Sequence, residues 1–100
     1  MALTILFSDA FYESLGKILT FYDERNGSTD YSQKLVRRMF KDIMRLSSFP
    51  FIGRQTQKDD VRLLFVDDFC IEYAITETDV VVLDVFSCLT DPSKRFFRKR

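Results

Sequence analysis

The feature that most restricts the fold is the apolar run VVVLDVF at residues 80–86. Six of its seven side chains are hydrophobic, so a strand built from it must be covered on both faces. We therefore predict that this run is a central strand of a sheet. Asp84 is the one charge in the run, and a buried carboxylate is costly unless it has a partner. We expect a buried, partnered aspartate there, with a catalytic base as the alternative.

Upstream of this strand, the apolar residues follow the period of two helices. They recur at steps of one, three and four in residues 11–22 and again in residues 35–43. Ser8 or Asp9 is a suitable cap for the first helix, and Asn26-Gly27 supplies a left-handed stop at its end. Because the connection is short, we predict that the two helices are antiparallel.

Shorter segments have the period of two that is typical of strands. Residues 61–65 and 69–75 alternate in this way, and residues 1–7 make a reasonable first strand. The acid pairs Asp59-Asp60 and Asp67-Asp68 are interpreted as turns. The order is thus strand, helix, helix and a three-stranded meander. We predict an α+β fold in which two antiparallel helices pack on one face of a curved, mostly antiparallel four-stranded sheet, leaving the other face partly open.

The composition fits one globular domain over residues 1–100 and excludes several kinds of site. Of the 100 residues, 46% are hydrophobic and 30% charged, and no apolar run reaches the roughly 20 residues of a membrane span. The chain has no histidine, which excludes histidine-dependent nucleophiles and histidine metal sites. We expect no cofactor, no metal, no membrane partner and a cytoplasmic location. We also expect buried reduced thiols at Cys70 and Cys88, rather than a disulfide or a reactive cysteine.

Basic side chains are concentrated in two places. The last seven residues hold five of the 15 basic side chains, whereas residues 1–93 hold 10 basic and 15 acidic ones. This tail, at about residues 93–100, is either a solvated terminus or a segment that meets phosphate or an acidic partner. The second helix carries a cationic stripe, which is either a solvated face or a second phosphate site. The stripe consists of Lys34, Arg38, Lys41 and Arg45, with Arg37 beside it.

Four segments, taken in order along the chain, carry a family resemblance. They are FSDAFYESL in the first helix, LSSFPFIGR after the second, VRLLFVDDFCIEYAI in the strands and VVVLDVFSCLTDP at the end of the sheet. Together they resemble the RelE/ParE toxins of bacterial type II toxin–antitoxin systems, the plasmid stabilisation type. The resemblance implies a cognate antitoxin encoded by an adjacent gene. It also implies a target, which is DNA gyrase or the ribosome with its mRNA.

The resemblance indicates where a ribonuclease member would hold its catalytic groups. In such members the loop after the last strand, and the tail beyond it, bring a basic or histidine residue and often a tyrosine to the scissile phosphate. Here the loop reads Ser87, Cys88, Leu89 and Thr90, and Leu89 stands where the family usually has arginine. The expected catalytic set is therefore largely missing.

Arg62 is the best remaining candidate for a catalytic residue. It points to the sheet face opposite Val61 and Leu63, where it lies on the open platform or pairs with Glu72 or Asp84. The candidate target- or phosphate-binding residues are Arg54, Lys58, Arg62, Ser87, Arg95, Phe96 and Arg98.

Three functions are consistent with these features. The first is a ParE-like toxin that acts by binding a cellular target such as DNA gyrase. The second is a RelE-like ribosome-dependent mRNA endonuclease with a reduced, arginine-based site. The third is a non-toxic, decayed family member that serves as a binding module for an antitoxin. The resemblance favours a toxin and the empty loop favours binding, so we predict the first function and leave enzymatic activity open.

Overall fold

The computed structural model describes residues 2–88. Its strands are β1 (Thr4–Phe7), β2 (Arg54–Gln55), β3 (Val61–Val66), β4 (Phe69–Ile75) and β5 (Asp79–Ser87), and its helices are α1 (Asp9–Asn26) and α2 (Asp30–Met44). Two 3₁₀ turns, Arg45–Ser47 and Pro50–Ile52, connect α2 to β2. The predictions about the basic tail lie outside the described residues, as do those about Leu89, Thr90, Arg95, Phe96 and Arg98.

The five strands form one sheet in the order β1-β5-β4-β3-β2. β5 is parallel to β1 and antiparallel to β4, and the β4–β3 and β3–β2 pairs are antiparallel. The predicted α+β architecture and the interior position of residues 80–86 are confirmed. The predicted number of strands is one too few, because Arg54 and Gln55 form an edge strand against Leu63 and Arg62. Two residues are too few to give a periodic signal in the sequence.

The first helix begins and ends where the sequence indicates. Ser8 is the N-cap of α1, and its Oγ accepts a hydrogen bond from the Phe11 amide at 3.1 Å and donates one to the Leu83 carbonyl at 2.6 Å. Gly27 ends α1 in the left-handed region at φ 69°, with its amide donating to the Asp23 carbonyl. Ser8 therefore joins the start of α1 to strand β5. Within residues 2–88, no helix is long and apolar enough to cross a membrane.

The main core lies between the pair of helices and one face of the sheet. Its fully buried side chains come from both helices and from β4 and β5, and they include Phe11, Leu35, Met39, Ile43, Ile71, Tyr73, Val80 and Val82. On β3, Leu64 and Val66 belong to this core. Arg62 precedes Leu64 by two residues and so lies on the same side of the strand. The helices therefore cover the face toward which Arg62 points.

Cys70 and Cys88 form a disulfide, so the prediction of reduced thiols is wrong. Antiparallel pairing places Phe86 opposite Cys70, and the amide of Cys88 donates to the Asp68 carbonyl at 2.9 Å. The two Cα atoms are 5.7 Å apart, a separation that suits a disulfide. Cys70 also packs with Leu63 and Phe86 in a second, smaller cluster. The pairing depends on the register between β4 and β5, which the sequence pattern does not reveal.

Candidate functional site

Arg62 braces the turn between α2 and β2. Its Nη1 donates hydrogen bonds to the Gly53 carbonyl at 2.7 Å and to the Phe51 carbonyl at 3.2 Å. The guanidinium carbon lies 5.1 Å from the centre of the Phe51 ring, which is within the range of a cation–π contact. We call residues 49–53 the knuckle. Arg62 therefore holds both the backbone and one aromatic ring of the knuckle.

This position corrects one expectation about Arg62. Its side chain is opposite Val61 and Leu63, as predicted, but that face is the one that the helices cover and not the open platform. The partners described for the guanidinium are two main-chain carbonyls and an aromatic ring. The sequence instead suggests an ion pair with Glu72 or Asp84. The physical reason is that carbonyl groups in a turn lack strand partners and need donors from elsewhere.

Tyr73 holds the knuckle from the inside of the fold. It pairs with Arg62 across the sheet, and its side chain is fully buried. Its hydroxyl donates to the Pro50 carbonyl at 2.7 Å and accepts from the Gly53 amide at 2.9 Å. Burial raises the pKa of Tyr73 above its ordinary 10.0, although the Gly53 hydrogen bond and the Arg62 charge act to lower it. The phenol therefore stays neutral and ties the knuckle to β4.

Gly53 is the position where the knuckle comes closest to the sheet. A Cβ there would clash with the Tyr73 side chain and approach the Leu63 carbonyl to 2.9 Å. Only glycine allows this approach. Neither Tyr73 nor Gly53 is predicted as a site residue from the sequence. The available signal is that a buried tyrosine needs a partner for its hydroxyl, but that rule does not identify the partner.

The outer surface of the knuckle is apolar and exposed. Phe49, Phe51 and Ile52 are 61%, 66% and 49% exposed, although such residues are among those most often buried. The surrounding residues 43–58 contain three basic side chains and no acidic one. The rest of residues 2–88 holds seven basic and 14 acidic side chains. The knuckle is therefore an apolar projection with a basic flanking sequence, next to acidic side chains that pair with Arg45 or line the same cleft as Lys58.

A cleft of about 450 Å³ opens beside the knuckle. It brings together Lys58 and Arg62, two of the predicted phosphate-binding residues, but Asp59 and Asp60 line it as well. These acids offset the cations, so the cleft lacks the positive potential that attracts phosphate. The turn interpretation of the acid pairs is confirmed, because Asp60 and Asp67 have left-handed φ values of 67° and 53°.

Two other described candidates, Ser87 and Arg54, lie on strands other than that of Arg62. Ser87 pairs with Phe69 at the far end of β4, whereas Arg62 pairs with Tyr73. Four residues of strand separate Phe69 from Tyr73, which is roughly 13 Å. The structure therefore does not bring Ser87 to Arg62. Arg54 lies in the edge strand β2, next to β3.

Asp84 has the partner that the sequence analysis expects. Its Oδ1 accepts hydrogen bonds from the Ser14 hydroxyl at 2.6 Å and from the Val85 amide at 2.8 Å. The residue is half-buried and not fully buried, because it lies where α1 meets β5. Among residues 2–88 there is no cluster of three or more cysteine, aspartate or glutamate side chains that could hold a metal ion.

Ion pairs interrupt the cationic stripe on α2. Arg38 donates to Asp67 through Nε at 2.8 Å and also through Nη2. Arg45 lies 3.7 Å from Asp42, one turn earlier in the chain. Exposed pairs of this kind contribute little stability, but they reduce the charge that the stripe presents. The structure thus favours a solvated face over a phosphate site.

The fold and the site define a class of protein. It is a small α+β domain in which two helices cover one face of a sheet. In the part of the chain that the structure describes, an apolar projection braced by Arg62 and Tyr73 stands between α2 and β2.

The chain belongs to the ParE toxin family. The family model described as ParE toxin of type II toxin-antitoxin system, parDE, matches residues 5–92. A solved structure of the chromosomal ParDE TA system from P. aeruginosa is similar to this chain, with a TM-score of 0.75 at 16% sequence identity. The likeness covers 86% of this chain and 96% of that one, and it supports the fold. Comparison with curated proteins gave no match. The resemblance found in the sequence is therefore confirmed.

Proposed function

We propose that this ParE-family toxin restrains growth by binding DNA gyrase, and that a cognate antitoxin from an adjacent gene neutralises it. The observation that carries the proposal is the engagement of Arg62, the best catalytic candidate, with the carbonyls of the knuckle. An arginine bound to main-chain carbonyls is poorly placed to stabilise the charge that develops on a phosphate. Binding is therefore a better explanation than cleavage.

The remaining residues also favour binding. RNA cleavage needs a general base, a general acid and cations in one place. The chain has no histidine, and the phenol of Tyr73 is buried, has a raised pKa and is bound to the knuckle. Each missing proton-transfer role costs roughly 10²–10⁴ in rate. A ribosome-dependent endonuclease is therefore the weaker alternative.

A groove between the two helices supports the antitoxin part of the proposal. Its volume is about 400 Å³, its surface is mostly apolar, and its lining includes Leu19, Val36, Asp23 and Arg37. An amphipathic arm that folds on binding is the kind of partner that buries such a groove. An antitoxin with such an arm would remove this apolar surface from water.

The test uses the purified chain with DNA gyrase and the product of the adjacent gene. We expect the chain to inhibit supercoiling and the antitoxin to restore it, while primer extension on mRNA from expressing cells shows no new ends. Cleavage at codon positions that is abolished by Arg62→Ala would instead establish the endonuclease. A chain that binds the antitoxin but affects neither growth nor gyrase would be a decayed family member.

A further inference from the structure

The knuckle combines a fixed backbone with an exposed apolar surface. We propose that it is the part of the toxin that enters its protein target, in an apolar pocket bordered by carboxylates on a folded partner. This inference rests on the proposed function, and it identifies the surface by which the toxin reaches its target.

Rigidity is the first argument. Two side chains, Arg62 and Tyr73, make four hydrogen bonds to the main chain of the knuckle. Gly53 has no side chain, and a Cβ at that position would keep the knuckle away from the sheet. These bonds give turn carbonyls the donors that they lack, and they also fix the conformation of the knuckle. A surface that is already ordered loses less conformational entropy on binding, and this raises its affinity.

The shape of the surface decides what kind of partner fits it. Side chains that are 61% and 66% exposed at Phe49 and Phe51 project from the domain. A projection fits a concave pocket, which a folded protein supplies, whereas an extended antitoxin arm fits a groove such as the one between the helices. Buried aromatic side chains at the centre of an interface contribute much of its binding energy.

Charge decides the chemistry of the pocket border. The three basic side chains in residues 43–58 are Arg45, Arg54 and Lys58. Arg45 pairs with Asp42, and Asp59 and Asp60 line the same cleft as Lys58. Even so, residues 42–62 hold four basic and three acidic side chains, whereas the rest of residues 2–88 holds six basic and 11 acidic ones. This end of the domain therefore repels carboxylates on a partner less than the rest of the described domain does. The acidic remainder of residues 2–88 would repel the same partner, so the approach is directed to this end of the domain.

The experiment compares two double variants of the full chain. Phe49→Ala/Phe51→Ala removes the aromatic rings of the knuckle. Tyr12→Ala/Phe21→Ala is the matched control, because these rings are 53% and 54% exposed but lie on α1. The measurements are growth arrest on expression, inhibition of purified gyrase, affinity for the antitoxin and thermal unfolding.

We expect the knuckle variant to need at least about tenfold more protein for half-inhibition of gyrase and to lose growth arrest. The antitoxin affinity and the unfolding temperature of the knuckle variant should stay near those of the wild type. The control variant should keep both gyrase inhibition and growth arrest. Inhibition by the wild type should weaken with rising salt, because salt screens the border charges.

Several results would overturn the inference. One is a knuckle variant that inhibits gyrase and growth as the wild type does. Another is a loss of antitoxin affinity in the knuckle variant, which would show that the antitoxin contacts the knuckle. A third is a wild-type dimer that the knuckle variant does not form, which would show that the knuckle contacts a second copy of the chain. Gyrase inhibition that does not change with salt would exclude a target pocket bordered by carboxylates. If the wild type arrests growth without inhibiting gyrase, the proposed target fails, and the growth comparison alone decides the role of the knuckle.

Discussion

Replacing Tyr73 by phenylalanine removes one oxygen atom from the brace and leaves the ring in place. That oxygen donates to the Pro50 carbonyl and accepts from the Gly53 amide. In Tyr73→Phe both main-chain groups lose their partner, while the core that surrounds the ring keeps its packing. The variant therefore isolates the contribution of the hydroxyl to the knuckle.

The magnitude follows from these two hydrogen bonds. A buried main-chain group that is left without a partner costs about 1–3 kcal/mol. The two groups together would cost about 2–6 kcal/mol if they stayed dry. The knuckle has an exposed outer surface, so water reaches part of the vacated space and the cost lies near the lower end. We expect the free energy of unfolding to fall by about 2 kcal/mol, and opening of the knuckle to become about 30 times more frequent.

Urea unfolding measures the global effect, and amide hydrogen exchange at Gly53 measures the local one. The control is Tyr12→Phe, because Tyr12 is 53% exposed and lies on α1, away from the knuckle. The control should change the free energy of unfolding by less than about 0.5 kcal/mol. A loss below that value in Tyr73→Phe, with Gly53 protection unchanged, would refute the bracing role.

Three further predictions concern pH, the cap of α1 and the disulfide. Because the folded state raises the pKa of Tyr73, it retains a proton that the unfolded chain releases above pH 10.0, so stability should fall as the pH rises through that range. In urea titrations at alkaline pH, Tyr73→Phe should lack this part of the decline, and an equal decline in both proteins would contradict the assignment. Ser8→Ala should lower the free energy of unfolding by about 1–2 kcal/mol in the same assay, because it removes the cap and the bond to Leu83, and a loss below about 0.5 kcal/mol would show that neither matters. Cys70→Ser/Cys88→Ser should cost about 3 kcal/mol, as expected for closing a loop of this length, and dithiothreitol should lower the stability of the wild type by a similar amount. A wild type whose unfolding is the same with and without dithiothreitol would contradict the disulfide.

The regular spacing of apolar residues in the sequence is sufficient to predict the main helices and strands and the class of fold. The repeat from Phe11 gives α1, the run of valines before Asp84 gives an interior strand, and Gly27 marks the end of the first helix. These features are local, since each depends on the order of side chains within a few residues. The family resemblance adds to them and is confirmed by the match over residues 5–92.

The register between strands is what the sequence does not contain. It places Arg62 beside Tyr73 and both against Gly53, and it places Cys88 within reach of Cys70. A one-residue shift would turn every side chain of a strand to the other face, so such pairs follow from the assembled sheet and not from spacing. The brace and the disulfide are therefore visible only in the structure.

The position of β5 determines when the fold can form during synthesis. This strand is the last element in the described chain, yet it lies between β1 and β4 and joins them into one sheet. Ser8 and Leu83, which are hydrogen-bonded, are 75 residues apart. The helices and the β3–β4 pair are complete before β5 leaves the ribosome, but they have no continuous sheet to pack on. Contacts between distant parts of a chain form slowly, because the loop between them must close first. The core therefore forms only after β5 has been synthesised, although the residues that brace the knuckle all precede that strand.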